Sequence, residues 1–445
     1  MPLIEANKSI HVLHSFDEGM ASGWRGYLEE ESEYQWIAMT GFLIFILLGA
    51  VAIQGTSNLP GVEFGSNDAS HADTRVLDIE YSSDTAFTAK VVTATGIDLY
   101  MQTGSGSVTR IIDSSSSTDA SEMQFMTKLE NDNVVVASDE NTLMVIHDPK
   151  NVANGEVLIS TIQLDNSTGD FEIADLAEQK SGSSTSWLMV TNEDSSMGLR
   201  GLGSITEGAT SPDTIASSMA TSILSTATDN TAGVVWEHVA SLSDGMWGAT
   251  GYLTYATTAG SSPATPTIVP VVAVIEWETS INAPTIKTMY TGDGGTIHSL
   301  VQLSDSTVFA AGTQGSTYIH EDGEMTHFDD GSVAAVADNK DRVWLFGDAG
   351  SKTTVRYDHG QAEPLSLARG LTFETEASGF GTHQIFLHGT DDQGGIQTLT
   401  IDTSAPGSIE SGRGFLNFMF LGVFTIVLVV MAWTAGERLL SAKFR

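Results

Sequence analysis

The sequence contains no cysteine, so disulfides, thiolate metal sites and cysteine nucleophiles are excluded. Basic residues are scarce: 19 Lys and Arg stand against 56 Asp and Glu in 445 residues, a formal net charge of -37 at pH 7. Nucleic acid needs clustered Lys and Arg to release its counterions, so that class of partner is excluded. Docking onto anionic lipid through a basic patch is disfavoured for the same reason. The acid is dispersed along the chain among many Ser, Thr and Gly. Such a surface suits salty water, where self-repulsion is screened within about 10 Å, and points to a marine or halophilic setting. Helical periodicity is nearly absent, and the one stretch that fits it is Phe171 to Lys180. Also missing are a Gly-x-Ser-x-Gly elbow, His-Glu-x-x-His, a Walker loop and a Gly-x-Gly-x-x-Gly turn. No cofactor is implied.

Two stretches depart from the polar average. Residues 36–54, WIAMTGFLIFILLGAVAIQ, and 415–434, FLNFMFLGVFTIVLVVMAWT, carry no charge. About 20 apolar helical residues span a hydrocarbon core of ~30 Å, so both fit transmembrane helices. Trp36 and Trp433 stand near their ends, where indoles favour the membrane interface. Arg438, Lys443 and Arg445 follow the second stretch, which puts the C-terminal tail in the cytoplasm. Arg25 precedes the first stretch and no Lys or Arg follows it until Arg75, so the N-terminal tail is cytoplasmic as well. The resulting order is an acidic tail (1–35), a span (36–54), a linker (55–73), an extracytoplasmic domain (74–403), a linker (404–414), a span (415–434) and a basic tail (435–445). The alternative is a signal peptide cleaved near Ala50-Val51-Ala52, but its leader is long and lacks a basic start.

Between these stretches one pattern recurs. Val308 begins VFAAGTQGSTYIHEDGEMTHF: an apolar run, Gly312-x-x-Gly315, a second run, then an Asp322-Gly323 turn. Val343 begins the same order through Gly347, Gly350 and Asp358, and Ile385 begins it again through Gly389. Similar pairs of runs start at Ile97, Val134, Trp187 and, stretched over a longer loop, Trp247. Two short strands joined by Gly, Asp, Asn or Ser form a hairpin. Recurrence at about 35–60 residues belongs to propellers and solenoids. The fold class expected is therefore all-β: a seven-bladed β-propeller, with six to eight blades admissible, between two transmembrane helices. The listed glycines and aspartates are its repeat turns, and Thr74 to Tyr81 would complete the final blade begun at Ile385. Trp187, Trp236, Trp247, Trp277 and Trp344 are expected to pack between blades.

Asp322-Gly323-Glu324-Met325-Thr326-His327-Phe328 resembles a degenerate Asp-box, the Asp-Gly-Gly-x-Thr-Trp turn of sialidase-type repeats. With Ala311-Gly312-x-x-Gly315 before it, the last third of the chain resembles neuraminidase-type and photosystem-II-assembly-factor-like propellers. The resemblance implies the fold and not the activity, because in that family the Asp-box aspartate is a structural turn residue. Glu324 and Phe328 depart from the pattern.

Chemistry is sparsely marked. His320 and Asp322 are the candidate metal ligands, since alternate residues of a strand share a face; a solvated acidic blade edge is the preferred reading, because the spacing does not match an EF-hand loop. A sialidase needs converging arginines, and nothing marks such a cluster. The expected function is a membrane-anchored extracytoplasmic binding or scaffold module for a protein partner or surface ligand, as a subunit or assembly factor of a membrane complex. The alternative is an ectoenzyme, a hydrolase or lyase, using the propeller funnel.

Overall fold

The computed structural model describes residues 58–405, apart from 66–74, 117–124, 140–141, 152–156, 164–171, 182–183, 194–195, 206–213, 217–223, 226–230, 233, 244, 256–266, 279, 281–282 and 305. It also describes helical positions 44, 49, 422–424, 426–427, 429–430 and 433. The chain divides into two compact units, residues 58–409 and the two ends 1–57 with 410–445.

The larger unit opens with β1 (Val62–Gly65). Blade 1 follows as β2 (Arg75–Ser83), β3 (Ala86–Val92), β4 (Ile97–Gln102) and β5 (Val108–Ile112). Blade 2 is β6 (Met126–Lys128), β7 (Val134–Asp139), β8 (Thr142–Ile146) and β9 (Ile159–Gln163). Blade 3 is β10 (Glu172–Ser181), β11 (Ser184–Glu193), β12 (Ser196–Ile205) and β13 (Thr214–Ala216). A two-stranded sheet, β14 (Leu224–Ser225) with β15 (Thr231–Ala232), intervenes. Blade 4 is β16 (Val234–Ser241), β17 (Met246–Tyr255), β18 (Thr267–Glu278) and β19 (Ala283–Thr291). Blade 5 is β20 (Ile297–Gln302), β21 (Val308–Gly312), β22 (Ser316–Ile319) and β23 (Met325–Phe328). Blade 6 is β24 (Ala334–Ala337), β25 (Val343–Phe346), β26 (Thr353–Asp358) and β27 (Gln361–Ser366). The closing sheet is β28 (Glu374–Phe380), β29 (Gln384–Thr390) and β30 (Ile396–Asp402), with β1 on its outer edge.

All these sheets are antiparallel meanders, and the first strands β2, β6, β10, β16, β20, β24 and β28 neighbour one another in a ring. This is an all-β propeller. The propeller has six blades, each of four consecutive strands, and a closing sheet that draws on both chain ends, where the repeats predict seven blades with six to eight admissible. Each boundary between neighbouring sheets holds its own apolar cluster. Trp236 and Trp344 are fully buried there, Trp187 and Trp247 nearly so, and Trp277 packs against the cluster between blades 3 and 4. The alternating apolar strands thus bury both faces, which is why so acidic a chain still folds.

Three expectations change. Ring closure uses Val62–Gly65, inside the stretch read as a linker, with Val62 opposite Ile401 and Gly65 opposite Thr398; Arg75–Ser83 instead opens blade 1. Phe171 to Lys180 is not helical: from Glu172 it is β10, whose polar residues serve the bore and the blade boundaries. Gly312 and Gly389 are strand residues rather than turns. Both lie opposite β-bulges in the preceding strand, at Ile297/Ser299 and Thr375/Ala377.

A Cβ on Gly389 would lie 1.8 Å from the Glu374 carbonyl oxygen and 2.7 Å from the Phe373 ring. Gly389→Ala is therefore expected to cost about 2–4 kcal/mol in denaturant unfolding, because backbone must shift to admit the methyl. A change below 0.5 kcal/mol would contradict this.

Among the described residues no helix is long and apolar enough to cross a membrane. Most of segments 36–54 and 415–434, including Trp36, lies outside the described residues, as does Arg438. Trp433 is helical and exposed.

Candidate functional site

The repeat turns lie away from the axis. Gly315 sits in the β21–β22 turn, where its carbonyl accepts the Gly312 N–H (3.0 Å). Gly347 and Gly350 lie in the β25–β26 turn, and Asp358 ends β26. His320 and Asp322 are not on a strand but in the turn between β22 and β23. Strand alternation therefore does not bring their side chains together. Asp322 Oδ1 accepts the Glu324 N–H (2.9 Å), and His320 Nε2 lies 3.1 Å from Thr326 Oγ1. Of the neighbouring groups, His327 bonds Thr317 and stacks on Tyr290, while Asp330 accepts from Tyr357. Among the described residues no group of three or more His, Asp or Glu is placed to hold a metal ion.

The distinctive chemistry is in the central bore. A cavity of about 550 Å³ is lined by residues of all seven first strands. Bulges recur near the start of five of these strands, at Val76/Asp78, Ile173/Asp175, Trp236/His238, Ile297/Ser299 and Thr375/Ala377. A bulge re-aims the side chains around it. Here it leaves Glu237, His298 and Glu376 unpaired in the ladder and sets Asp78, Asp175 and His238 at one topological level. Two residues further along β2, Glu80 lines the cavity.

Burial pushes Glu80 up to about 8, opposed by Lys128 and assisted by the charges of Asp78 and Asp175. Burial pushes Asp78 up to about 6 against the pull of Lys90. Lys90 is itself lowered by burial, offset in part by Asp78. Asp175 Oδ1 accepts the Leu176 N–H (2.8 Å), and its Oδ2 accepts the Val239 N–H across the blade boundary (2.9 Å). The same Oδ2 lies 3.6 Å from His238 Nδ1. Burial disfavours the His238 cation, but Asp175 and Glu237 outweigh it and raise its pKa. His298 is lowered by burial and lies 3.1 Å from Ser332 Oγ.

Glu80, Glu130, Asp132 and Glu178 outnumber Lys128 in the lining of this bore. Among the described residues no arginine cluster for an anionic substrate lines it: Arg75 pairs with Glu376 (2.7 Å), Arg110 with Asp113 (2.8 Å) and Arg342 with Asp338 (2.6 Å). Arg356 pairs with Glu363, and Arg369 lies over the Phe64 ring. Sequence reading missed the bore residues because they are scattered from Asp78 to His298. Extending the repeat alignment to each unit's first strand would have aligned Asp78, Asp175 and His238.

A stability consequence follows for Glu80. Its ordinary pKa of 4.5 rises to about 8 in the fold. Between those values the folded state holds more protons, so this group's stabilisation is complete below about 4.5 and is lost as pH climbs through about 8. His388, lowered to about 4 by burial and 2.8 Å from Tyr81 Oη, acts oppositely between about 4 and 6.5. Glu80→Gln is expected to stabilise the protein at pH 8 by about 2–3 kcal/mol relative to the unsubstituted chain, with the gain shrinking towards pH 5. Thermal melts at the two pH values measure it. A gain that grew on acidification would contradict it.

No protein-family model matches the chain, and no curated protein matches it. Among solved structures it is similar to a streptogramin B lyase, at 11% identity over 77% of this chain and 98% of that one, TM-score 0.47. It is also similar to a puromycin-hydrolyzing peptidase of Mycobacterium tuberculosis (11%, 74% and 51%, TM-score 0.48). A third is Chaetomium thermophilum Raptor (8%, 78% and 29%, TM-score 0.46). The propeller assignment rests on this chain's own sheet order and ring closure, and no site residue is transferred from those proteins.

Proposed function

We propose that this chain is a membrane-tethered propeller that holds a binding surface on the outer side of a membrane. The observation that carries the reading is the pairing of the two chain ends. β1 begins and β30 ends at the same side of the closing sheet, where the Asp402 N–H donates to the Gly61 carbonyl (2.9 Å). At about 3.3–3.6 Å per residue, four residues from Gln54 to Asn58 reach about 14 Å and ten from Ala405 to Phe415 about 35 Å. Both uncharged segments are thus within reach of one bilayer. The helical positions Val423, Ile426, Val429, Val430 and Trp433 expose large apolar side chains, as lipid-facing residues do.

The acid-lined bore and rigid loops favour binding over catalysis. The Asp175–His238 pair (3.6 Å) would serve an ectoenzyme as base and orienter, and among the described residues no hydroxyl is hydrogen-bonded to that histidine. Alkaline carbonate extraction of native membranes tests the tether: the chain is expected to stay in the pellet. Release of the chain into the supernatant would overturn the reading.

A further inference from the structure

Resting on the reading of the propeller as a binding module, we propose that the central cavity binds a primary ammonium group on a short aliphatic stem, with the Glu80 carboxylate as its partner. The cavity's size, about 550 Å³, lies within the range of about 300–1,000 Å³ common to small-molecule sites. Its walls include Leu176, Val239, Leu300, Val336 and Phe380, which suit an apolar stem. Its lining brings four carboxylates, Glu80, Glu130, Asp132 and Glu178, against a single lysine, Lys128.

The resident cations are already committed. Lys128 Nζ donates to the Tyr81 carbonyl (2.8 Å), and Lys180 Nζ lies 3.7 Å from Glu130 and 3.9 Å from Glu178. Glu178 is itself engaged, accepting the Glu130 N–H (3.1 Å). Among the described residues no side-chain cation bonds Glu80; its carboxylate accepts the Lys128 backbone N–H and feels the Lys128 charge. A metal ion is a poorer fit, since no three-ligand group forms among the described residues. An ammonium group carries three N–H donors, which the Glu80 carboxylate and water can share, and it can leave its stem against the wall.

The charged groups around Glu80 are Asp78 on its own strand, Lys128 on β6, Glu130 and Asp132 in the β6–β7 turn, and Asp175 and Glu178 on β10. The cation binds the ionised carboxylate, so below about pH 8 it must displace a proton. Affinity is expected to rise about tenfold per pH unit up to that point and then level off.

Calorimetric titration of the full chain in nonionic detergent with n-hexylamine, n-hexanol and hexanoate tests the proposal. Hexylamine is expected to bind at least tenfold more tightly than hexanol, and hexanoate not at all. Glu80→Gln is expected to weaken hexylamine binding about tenfold to a hundredfold, and Lys128→Gln to strengthen it several-fold. Equal binding of hexanol, no binding of millimolar hexylamine, or affinities unchanged in both variants would each overturn it. Should Glu80→Gln not fold, Lys128→Gln decides alone. Carbonate extraction reads the tether separately, so either idea can fail while the other stands.

Discussion

A chain starting at residue 66 is expected to be less stable by an amount on the order of 5 kcal/mol or more, with the closing sheet's apolar edge open to dye binding. β1 is only four residues long, yet it caps β30 along its length and brings Leu59, Val62 and Phe64 to the cluster between blade 6 and the closing sheet. Leu59 is buried, and its N–H donates to the Ser366 carbonyl (2.6 Å), tying the chain start to blade 6. Fully burying one large aliphatic or aromatic side chain contributes about 1.5–3 kcal/mol, so buried Leu59 with half-buried Val62 and Phe64 sets most of the scale and the lost ladder bonds add the rest. Denaturant unfolding with a hydrophobic dye measures the effect. A truncated chain as stable and as dye-silent as the full one would show that closure does not depend on β1.

The second large effect centres on Asp338. Its carboxylate is fully enclosed in the first hairpin of blade 6. Oδ1 accepts the N–H groups of Lys340 (2.9 Å) and Arg342 (3.2 Å), while Oδ2 accepts Arg342 Nε (2.8 Å) and Trp344 Nε1 (2.9 Å). Arg342 passes the connection on, donating through Nη2 to the Thr403 carbonyl of the closing sheet (3.3 Å). Asp338→Ala strands a buried guanidinium and a buried indole N–H together, and breaking one side of such a buried pair costs about 3–5 kcal/mol. Asp358→Ala, at the exposed end of β26, serves as the control and is expected to change stability by less than about 0.5 kcal/mol. Equal effects at the two positions would contradict the account.

Asp338 belongs to a wider arrangement. On the face carrying the first hairpin of each blade, every boundary is bridged by polar bonds. Asp84 Oδ1 accepts three backbone N–H groups at Thr382, His383 and Gln384, joining blade 1 to the closing sheet. Asp341 takes Ser304 (2.7 Å to its N–H), Ser243 donates to the Glu321 carbonyl (2.8 Å), and Gln179 accepts from Gly245 (2.6 Å). Glu178 with Glu130, and Lys128 with Tyr81, complete the circuit through blades 3, 2 and 1. Asp84, Glu178, Asp338 and Asp341 are thus structural acids, accepting backbone N–H groups that would otherwise be orphaned at hairpin ends.

This explains which parts of the fold were legible. Runs such as VFAAG and VWLF are buried on both faces, and a glycine or aspartate turn separates each from its partner, so the hairpins stood out. The first strands did not, because one edge of each meets the bore and the blade boundaries, where Asp175, Glu178 and Gln179 are useful. That composition made β10 look helical. β1, with Glu63 and Gly65 among its four residues, carries too little pattern to be read as a strand, and only the ring's need for a last edge gives it meaning. The bore chemistry was illegible for a related reason. Asp78, Asp175 and His238 meet only because the ring closes, and no local spacing records that.

The central claim is a ring closed from both chain ends and held outside a membrane by the segments at 36–54 and 415–434. Because the chain has no cysteine, Ser105→Cys, at an exposed turn of blade 1, gives a probe without background. Labelling of intact cells with a membrane-impermeant maleimide is the direct measurement, with Ser9→Cys in the N-terminal tail as its counterpart. The account predicts that Ser105→Cys reacts in intact cells while Ser9→Cys reacts only after lysis. Protection of Ser105→Cys until lysis would contradict it.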